Sequence, residues 1–138
     1  MARVAPWLAP FPWEMITAQN AVLCQAKGAL HKPTSDGHEA TRNLWNERHR
    51  EPMPLEEAVD LCRRCHRMAP FCFYNGNTFA SVIALVVKRL PLAPAQAHVI
   101  RSLAGHIVAG VSTGEEEKAF AEFCASLDDP VGSKSGTL

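Results

Sequence analysis

The segment from Leu55 to Met68 constrains the fold of this chain more than any other part of the sequence. At about 100° per residue, its apolar side chains fall on one face of a helix and its charged side chains on the other. Such a face is stable only when it is buried, so the segment predicts a helix packed on a core. The apolar face consists of Leu55, Ala58, Val59, Leu61, Cys62, Cys65, Met68 and Ala69.

Further helices are predicted from stop and start signals along the chain. Gly28 and Gly110 are C-terminal caps, Pro94 suits a first helical turn, and Asp36 with Glu39 has the pattern of a capping box. Ser112 or Thr113, with Glu115 or Glu116, predicts the start of the last helix. The predicted helices cover about 14–27, 37–50, 55–68, 79–87, 94–109 and a last helix that begins after 113.

The segment from Phe79 to Val87 is apolar on nearly every side. Because a helix that is apolar all round has to be buried, we expect this segment to be the central helix. Its β-branched residues also fit a buried strand, which is the competing interpretation. The helix is favoured because Asn77 or Thr78 can cap it and Lys88-Arg89 followed by Pro91 is typical of a helix end.

The sum of these segments predicts an all-α protein, an irregular bundle of five to six helices with an extended Pro/Trp-rich N-terminal arm. Residues 1–13 form the arm, 14–128 a single helical domain, and 129–138 a polar, flexible tail. The 138-residue length fits one domain, and a hydrophobic content of 47% is enough for a core.

The charge and the cysteine content indicate which classes of partner and which cellular compartment to expect. Fourteen basic and 14 acidic residues give a net charge of zero, so nucleic acid is an unlikely partner. Apolar runs are too short to span a membrane, and the proline-rich start does not resemble a signal peptide. The odd number of cysteines, 5, argues against a disulfide framework and indicates a cytoplasmic, reducing environment.

The sequence Cys62-Arg63-Arg64-Cys65-His66 is the clearest chemical motif. Two thiolates at this spacing could share zinc, with Cys72, His66 or His49 completing the site. Covalent haem attachment and thiol redox chemistry are further interpretations, each without its usual sequence context. The alternative is that Cys62 and Cys65 pack in the core as small apolar residues. We therefore expect no cofactor, with zinc as the alternative.

A second candidate site lies on the 37–50 helix, where His38, Arg42, Trp45 and His49 share one stripe. Basic groups beside an aromatic ring could hold an anion or a substrate. The stripe is not a zinc-protease motif, because Arg42 stands where the second histidine is required. A solvated basic face, with Trp45 turned over the core, is the alternative.

A third candidate is the turn at Tyr74, Asn75 and Asn77, which could present amides to a ligand or cap the next helix. No catalytic set stands out, so the leading hypothesis is a non-catalytic helical protein that acts through protein–protein interaction with another protein or with itself. A stripe of small side chains supports a homodimer: His98, Ser102, Gly105 and Ala109. The alternatives are a zinc- or thiol-dependent protein using the cysteine motif, and an enzyme or anion binder using the histidine stripe.

Overall fold

The structure is a computed structural model that describes residues 2–127, and it confirms the all-α class. Six helices carry the described part of the chain, and two short strands pair beside them. They are β1 (Val4–Ala5), α1 (Trp13–Lys27), α2 (Gly37–Arg48), β2 (Met53–Pro54), α3 (Leu55–Arg67), α4 (Asn75–Lys88), α5 (Pro94–Ala109) and α6 (Gly114–Ala125). The predicted tail, 129–138, lies outside the described residues.

Several predicted helix ends are confirmed by their backbone geometry. Gly28 and Gly110 end α1 and α5 in the left-handed region, with φ of 67° and 78°. The left-handed conformation costs glycine little because glycine has no Cβ, which is why the helices end at these positions. Thr113 and Glu116 form a complete capping box at the start of α6.

Two other predictions at helix starts are wrong, although α2 does begin at Gly37 as predicted. The side chain of Asp36 makes no capping bond to α2, whose N-cap residue has helical backbone angles instead of the extended ones that capping needs. Helix α4 begins at Asn75, before the predicted start at Phe79, and its N-cap is Tyr74. The Asn-Gly-Asn sequence is therefore the first turn of the helix. Residues 79–87 are helical, which settles the choice between helix and buried strand.

The N-terminal residues are tied to the body by backbone pairing and by apolar burial. Val4 pairs with Pro54 in an antiparallel ladder between β1 and β2. Leu8 and Phe11 are buried in the core, and the Phe11 carbonyl accepts a 2.8 Å hydrogen bond from Nε1 of Trp45. The start of the chain therefore closes one side of the α2–α3 region.

Helix α4 is at the centre, with α1, α3 and α5 packed against it. Its buried positions are Thr78, Phe79, Val82, Ile83, Val86 and Val87. On α5, Ile100 and Ala104 are buried, whereas Val99 is 53% exposed. No helix within residues 2–127 has the length and apolar character needed to cross a membrane.

Candidate functional site

Two candidates that the sequence left separate lie together around one open cleft of about 450 Å³. His66 comes from the end of α3, the Tyr74–Asn77 segment forms the start of α4, and Ala109 is the last residue of α5. The cleft is lined by His66, Tyr74, Asn75, Gly76, Asn77, Ala80 and Ala109. A concave surface with a few converging polar groups is where a small ligand most often binds.

The imidazole of His66 is held in one orientation by α5. Its Nδ1 lies 2.8 Å from the carbonyl oxygen of Val108. Because a carbonyl only accepts, Nδ1 carries the proton in this bond and Nε2 of the neutral ring has the lone pair. The bond satisfies a carbonyl near the end of α5 and leaves Nε2 as the ring nitrogen with a lone pair for a ligand.

Gly76 gives the His66 ring its place beside α4. A Cβ built on Gly76 would lie 3.2 Å from Cε1 and 3.3 Å from Nε2 of His66. To accommodate these contacts, the ring would have to shift away from α4 by a few tenths of an ångström. Glycine in the first turn therefore lets the Cε1–Nε2 edge of the imidazole approach the helix backbone directly.

The loop that leads into α4 contains two non-glycine residues with positive φ, Ala69 at 50° and Tyr74 at 62°. A positive φ costs an L-residue about 1–2 kcal/mol, so hydrogen bonds from neighbouring segments have to stabilise the loop. The hydroxyl of Thr34 donates to the Ala69 carbonyl at 2.6 Å, and the Asn20 amide donates to the Phe73 carbonyl at 2.8 Å. The loop is thus fixed to α1 and to the segment before α2.

Asn75 and Asn77 have different roles in this turn. The Asn75 side chain accepts from the Phe71 N–H at 2.9 Å and donates to the Phe71 carbonyl at 2.7 Å. It closes the loop on itself, so its amide is a positioning group although it lines the cleft. Asn77 is exposed and lines the same cleft. Tyr74, at the N-cap, is partly buried.

The cysteine motif is separated from its proposed partners. Cys62 and Cys65 are 0% exposed, Cys72 is exposed, and no three metal-binding side chains gather anywhere in residues 2–127. Burial raises the pKa of the Cys62 thiol well above its ordinary value and that of Cys65 to about 12. Both side chains are core residues, as the packing interpretation predicted. Of the five possible zinc ligands that the sequence offers, only His66 belongs to the cleft.

The histidine stripe of α2 is divided between the core and the surface. Trp45 is 0% exposed, and His49 stacks on it with a ring separation of 5.7 Å. The Nδ1 of His49 lies 2.8 Å from the Trp45 carbonyl and donates to it. Both side chains therefore fill the core and are withdrawn from any ligand that would approach α2 from solvent.

The other half of the stripe faces outward. His38 lies against Trp13 and Phe71 at ring separations of 5.6 and 5.7 Å, while Arg42 is exposed. Burial, followed by the charge of Arg42, lowers the pKa of His38 from its ordinary value. The four side chains thus do not converge on one pocket, because the helix turns two of them inward.

Sequence reasoning missed Gly76 and Val108, the two residues that position the His66 ring. Gly76 stands in the Asn-Gly-Asn sequence, and its small size was the available signal. Val108 acts through its carbonyl, and a side-chain pattern carries no information about that contact. The chain matches no protein-family model, no curated protein and no solved structure. Its function therefore has to be inferred from this geometry.

Proposed function

We propose that this protein is a helical binding protein and that the cleft around His66 takes a small polar ligand. The observation that carries the proposal is the His66 imidazole, which lines the cleft, whose Nδ1 is engaged by Val108 and whose Nε2 lies beside Gly76 as the remaining acceptor of the ring. A ring locked in one tautomer is a pre-organised hydrogen-bonding group, which lowers the entropic cost of binding.

Binding is favoured over catalysis by the chemistry of the lining. Acid–base and nucleophilic catalysis need a second reactive group within hydrogen-bond reach of the first. Among the described lining residues, the cleft offers one imidazole and one phenol, with neither a thiol nor a carboxylate. The amides of Asn75 and Asn77 suit recognition, since they donate and accept hydrogen bonds without reacting.

The cleft is tested by fragment screening with two-dimensional ¹H–¹⁵N NMR on the full chain. We expect polar fragments to shift the amide signals of Gly76, Asn77 and Ala109 in a saturable way. Gly76→Ala should weaken this binding severalfold, because the new Cβ would displace the His66 ring. Gly105→Ala is the matched control, since a Cβ there meets nothing within 4 Å. Fragments that bind only elsewhere, or equally well to both variants, would contradict the proposal.

A second candidate function, self-association, is favoured by the outer face of α1. Met15 and Val22 are 47% and 59% exposed, and the exposed Ala18 and Ala26 lie on the same stripe. The opposite face of α1 is buried in the core through Trp13, Ile16, Asn20 and Cys24. The helix is thus apolar on both sides, and an apolar outer stripe is typical of an interaction surface.

A second copy of this chain fits the stripe by size. If two α1 helices pair antiparallel about a two-fold axis, Met15 of one copy faces Ala26 of the other. Val22 then faces Ala18, so each large side chain meets a small one, and both contacts occur twice. The stripe covers about 17 Å of helix and carries no charge that would have to be desolvated. The α5 stripe of His98, Ser102, Gly105 and Ala109 stays the alternative interface.

The dimer is tested by size-exclusion chromatography with light scattering over a range of concentrations. We expect a concentration-dependent dimer that Val22→Glu converts to a monomer, because the buried carboxylates would be unpaired. Val99→Glu is the control, since Val99 is similarly exposed, at 53%, but lies on α5. Loss of the dimer in the Val99 variant alone would assign the interface to α5. A monomer at all concentrations would exclude self-association.

We also propose that the protein resides in a reducing compartment, as expected of a cytoplasmic chain. Its five cysteines are unpaired in the structure, and four of them are buried. Buried thiols are compatible with packing and do not depend on an oxidising environment.

A further inference from the structure

We propose that the ligand of the cleft is an uncharged molecule carrying hydroxyl groups, such as a cyclic polyol or a sugar, and that protonation of His66 releases it. This inference rests on the proposed function and adds the ligand class and its regulation. Three features of the cleft lead to it, namely the absence of charged lining residues, the fixed lone pair on His66, and the donors beside it.

The first feature is the lack of charge. None of the lining residues that the structure describes is acidic or basic, apart from the titratable imidazole of His66. A charged ligand that enters such a cleft loses hydration without gaining an ion pair, which is costly. An uncharged polar ligand loses less and can recover its hydrogen bonds from the lining. The lining side chains therefore offer hydrogen bonds and no ion pair, which suits a neutral ligand. The N-terminus of α4 attracts anions, and the anionic probes below test that alternative.

The second feature is the acceptor on His66, and the third is the set of donors beside it. Nε2 of neutral His66 accepts a hydrogen bond, because Nδ1 is committed to the Val108 carbonyl. Tyr74, Gly76 and Asn77 line the same cleft and carry donors, namely a hydroxyl, a first-turn backbone N–H and a side-chain amide. A hydroxyl group donates and accepts at once, so it can bond to Nε2 while it receives a bond from a neighbouring donor.

The groups around His66 come from three helices and from the N-cap of α4. Gly76 of α4 lies against its ring and the Val108 carbonyl of α5 accepts from its Nδ1, while Tyr74, Asn77 and Ala109 line the cleft beside it. Tyr74 is the other titratable group among these described neighbours. On α5 the nearest histidine along the helix is His106, whose Nδ1 lies 2.7 Å from a Glu116 carboxylate oxygen. On α3 itself, Arg63 and Arg67 flank it in sequence, and both are cationic.

Protonation removes the acceptor and adds a positive charge near the N-terminus of α4. The imidazolium can only donate, so the hydroxyl that donated to Nε2 loses its partner. The loss of one such hydrogen bond corresponds to an affinity change of up to about tenfold. An imidazole takes up a proton as the pH is lowered, so we expect the affinity of the cleft to fall at lower pH.

The test uses myo-inositol and glucose as neutral probes, and inorganic phosphate and acetate as anionic ones. Each is titrated into the full chain at about pH 8 and about pH 5.5, and the amide signals of Gly76 and Asn77 are followed by NMR. The key variant is His66→Asn, in which the Asn amide can still donate to the Val108 carbonyl while the Nε2 acceptor is lost. His98→Asn is the control, because His98 is an exposed histidine on α5.

We expect a neutral probe to bind at about pH 8 and about tenfold more weakly at about pH 5.5. His66→Asn should weaken binding by a similar factor and remove the pH dependence, whereas His98→Asn should behave as the wild type. Anionic probes that bind more tightly at low pH would overturn the ligand class and leave the cleft as a binding site. Equal binding to His66→Asn would overturn the role of Nε2. If neither these probes nor the fragments reach the cleft, the proposed function itself fails.

Discussion

Replacing Trp45 with alanine is expected to lower the free energy of unfolding by about 4 kcal/mol. The indole is 0% exposed, stacks on His49 and packs near Phe79. Its removal leaves a large cavity and also leaves the Phe11 carbonyl without the 2.8 Å hydrogen bond from Nε1. Urea unfolding followed by circular dichroism measures the change.

Two variants separate these contributions. Trp45→Phe keeps most of the apolar volume but removes the donor to Phe11, so we expect a loss of about 1–2 kcal/mol. Leu44→Ala, at the neighbouring half-buried position on α2, should cost clearly less than Trp45→Ala. Equal losses for the Leu44 and Trp45 alanine variants would contradict the assignment of Trp45 to the core.

Gly37→Ala is expected to destabilise the fold by about 3 kcal/mol, although it places a good helix former at the first position of α2. A Cβ on Gly37 would lie 2.1 Å from the Met68 carbonyl oxygen and 2.6 Å from that of Ala69. Both are backbone atoms, so the start of α2 would have to move away from the end of α3. Thermal and urea unfolding measure the loss.

The matched control is Gly114→Ala, because Gly114 is likewise the first residue of a helix and a Cβ there meets nothing within 4 Å. We expect this variant to be as stable as the wild type or up to about 1 kcal/mol more stable, since alanine restricts the unfolded chain. A Gly37 variant as stable as the Gly114 variant would show that α2 does not approach the α3–α4 loop this closely.

The helices could be predicted from the sequence because their signals are local. The amphipathic pattern of α3, the glycines after α1 and α5, and the capping box of α6 each act within a few residues. The start of α4 could not be predicted in this way. The helix has no side-chain cap, and its first turn follows a loop that Asn75 closes through bonds to both polar groups of Phe71.

The binding site was predicted only as fragments. His66 was noticed because it directly follows the cysteine motif, and Tyr74, Asn75 and Asn77 were predicted to form a turn. The angle of α3 against α4 and α5 brings them together, and that angle depends on packing between residues distant in sequence. The interpretation of the cysteine motif as core was available from helix periodicity, because Cys62 and Cys65 fall on the apolar face.

The sequence by itself determined that this protein is a set of helices with one buried central helix, because periodicity and helix-end residues act locally. Only the tertiary structure decided that His66 faces the start of α4, that His49 turns into the core, and that Gly37 lies against the end of α3. The first and the third depend on contacts between distant segments, and both involve backbone carbonyls. Backbone atoms are the same at every residue, so no side-chain pattern could have revealed them.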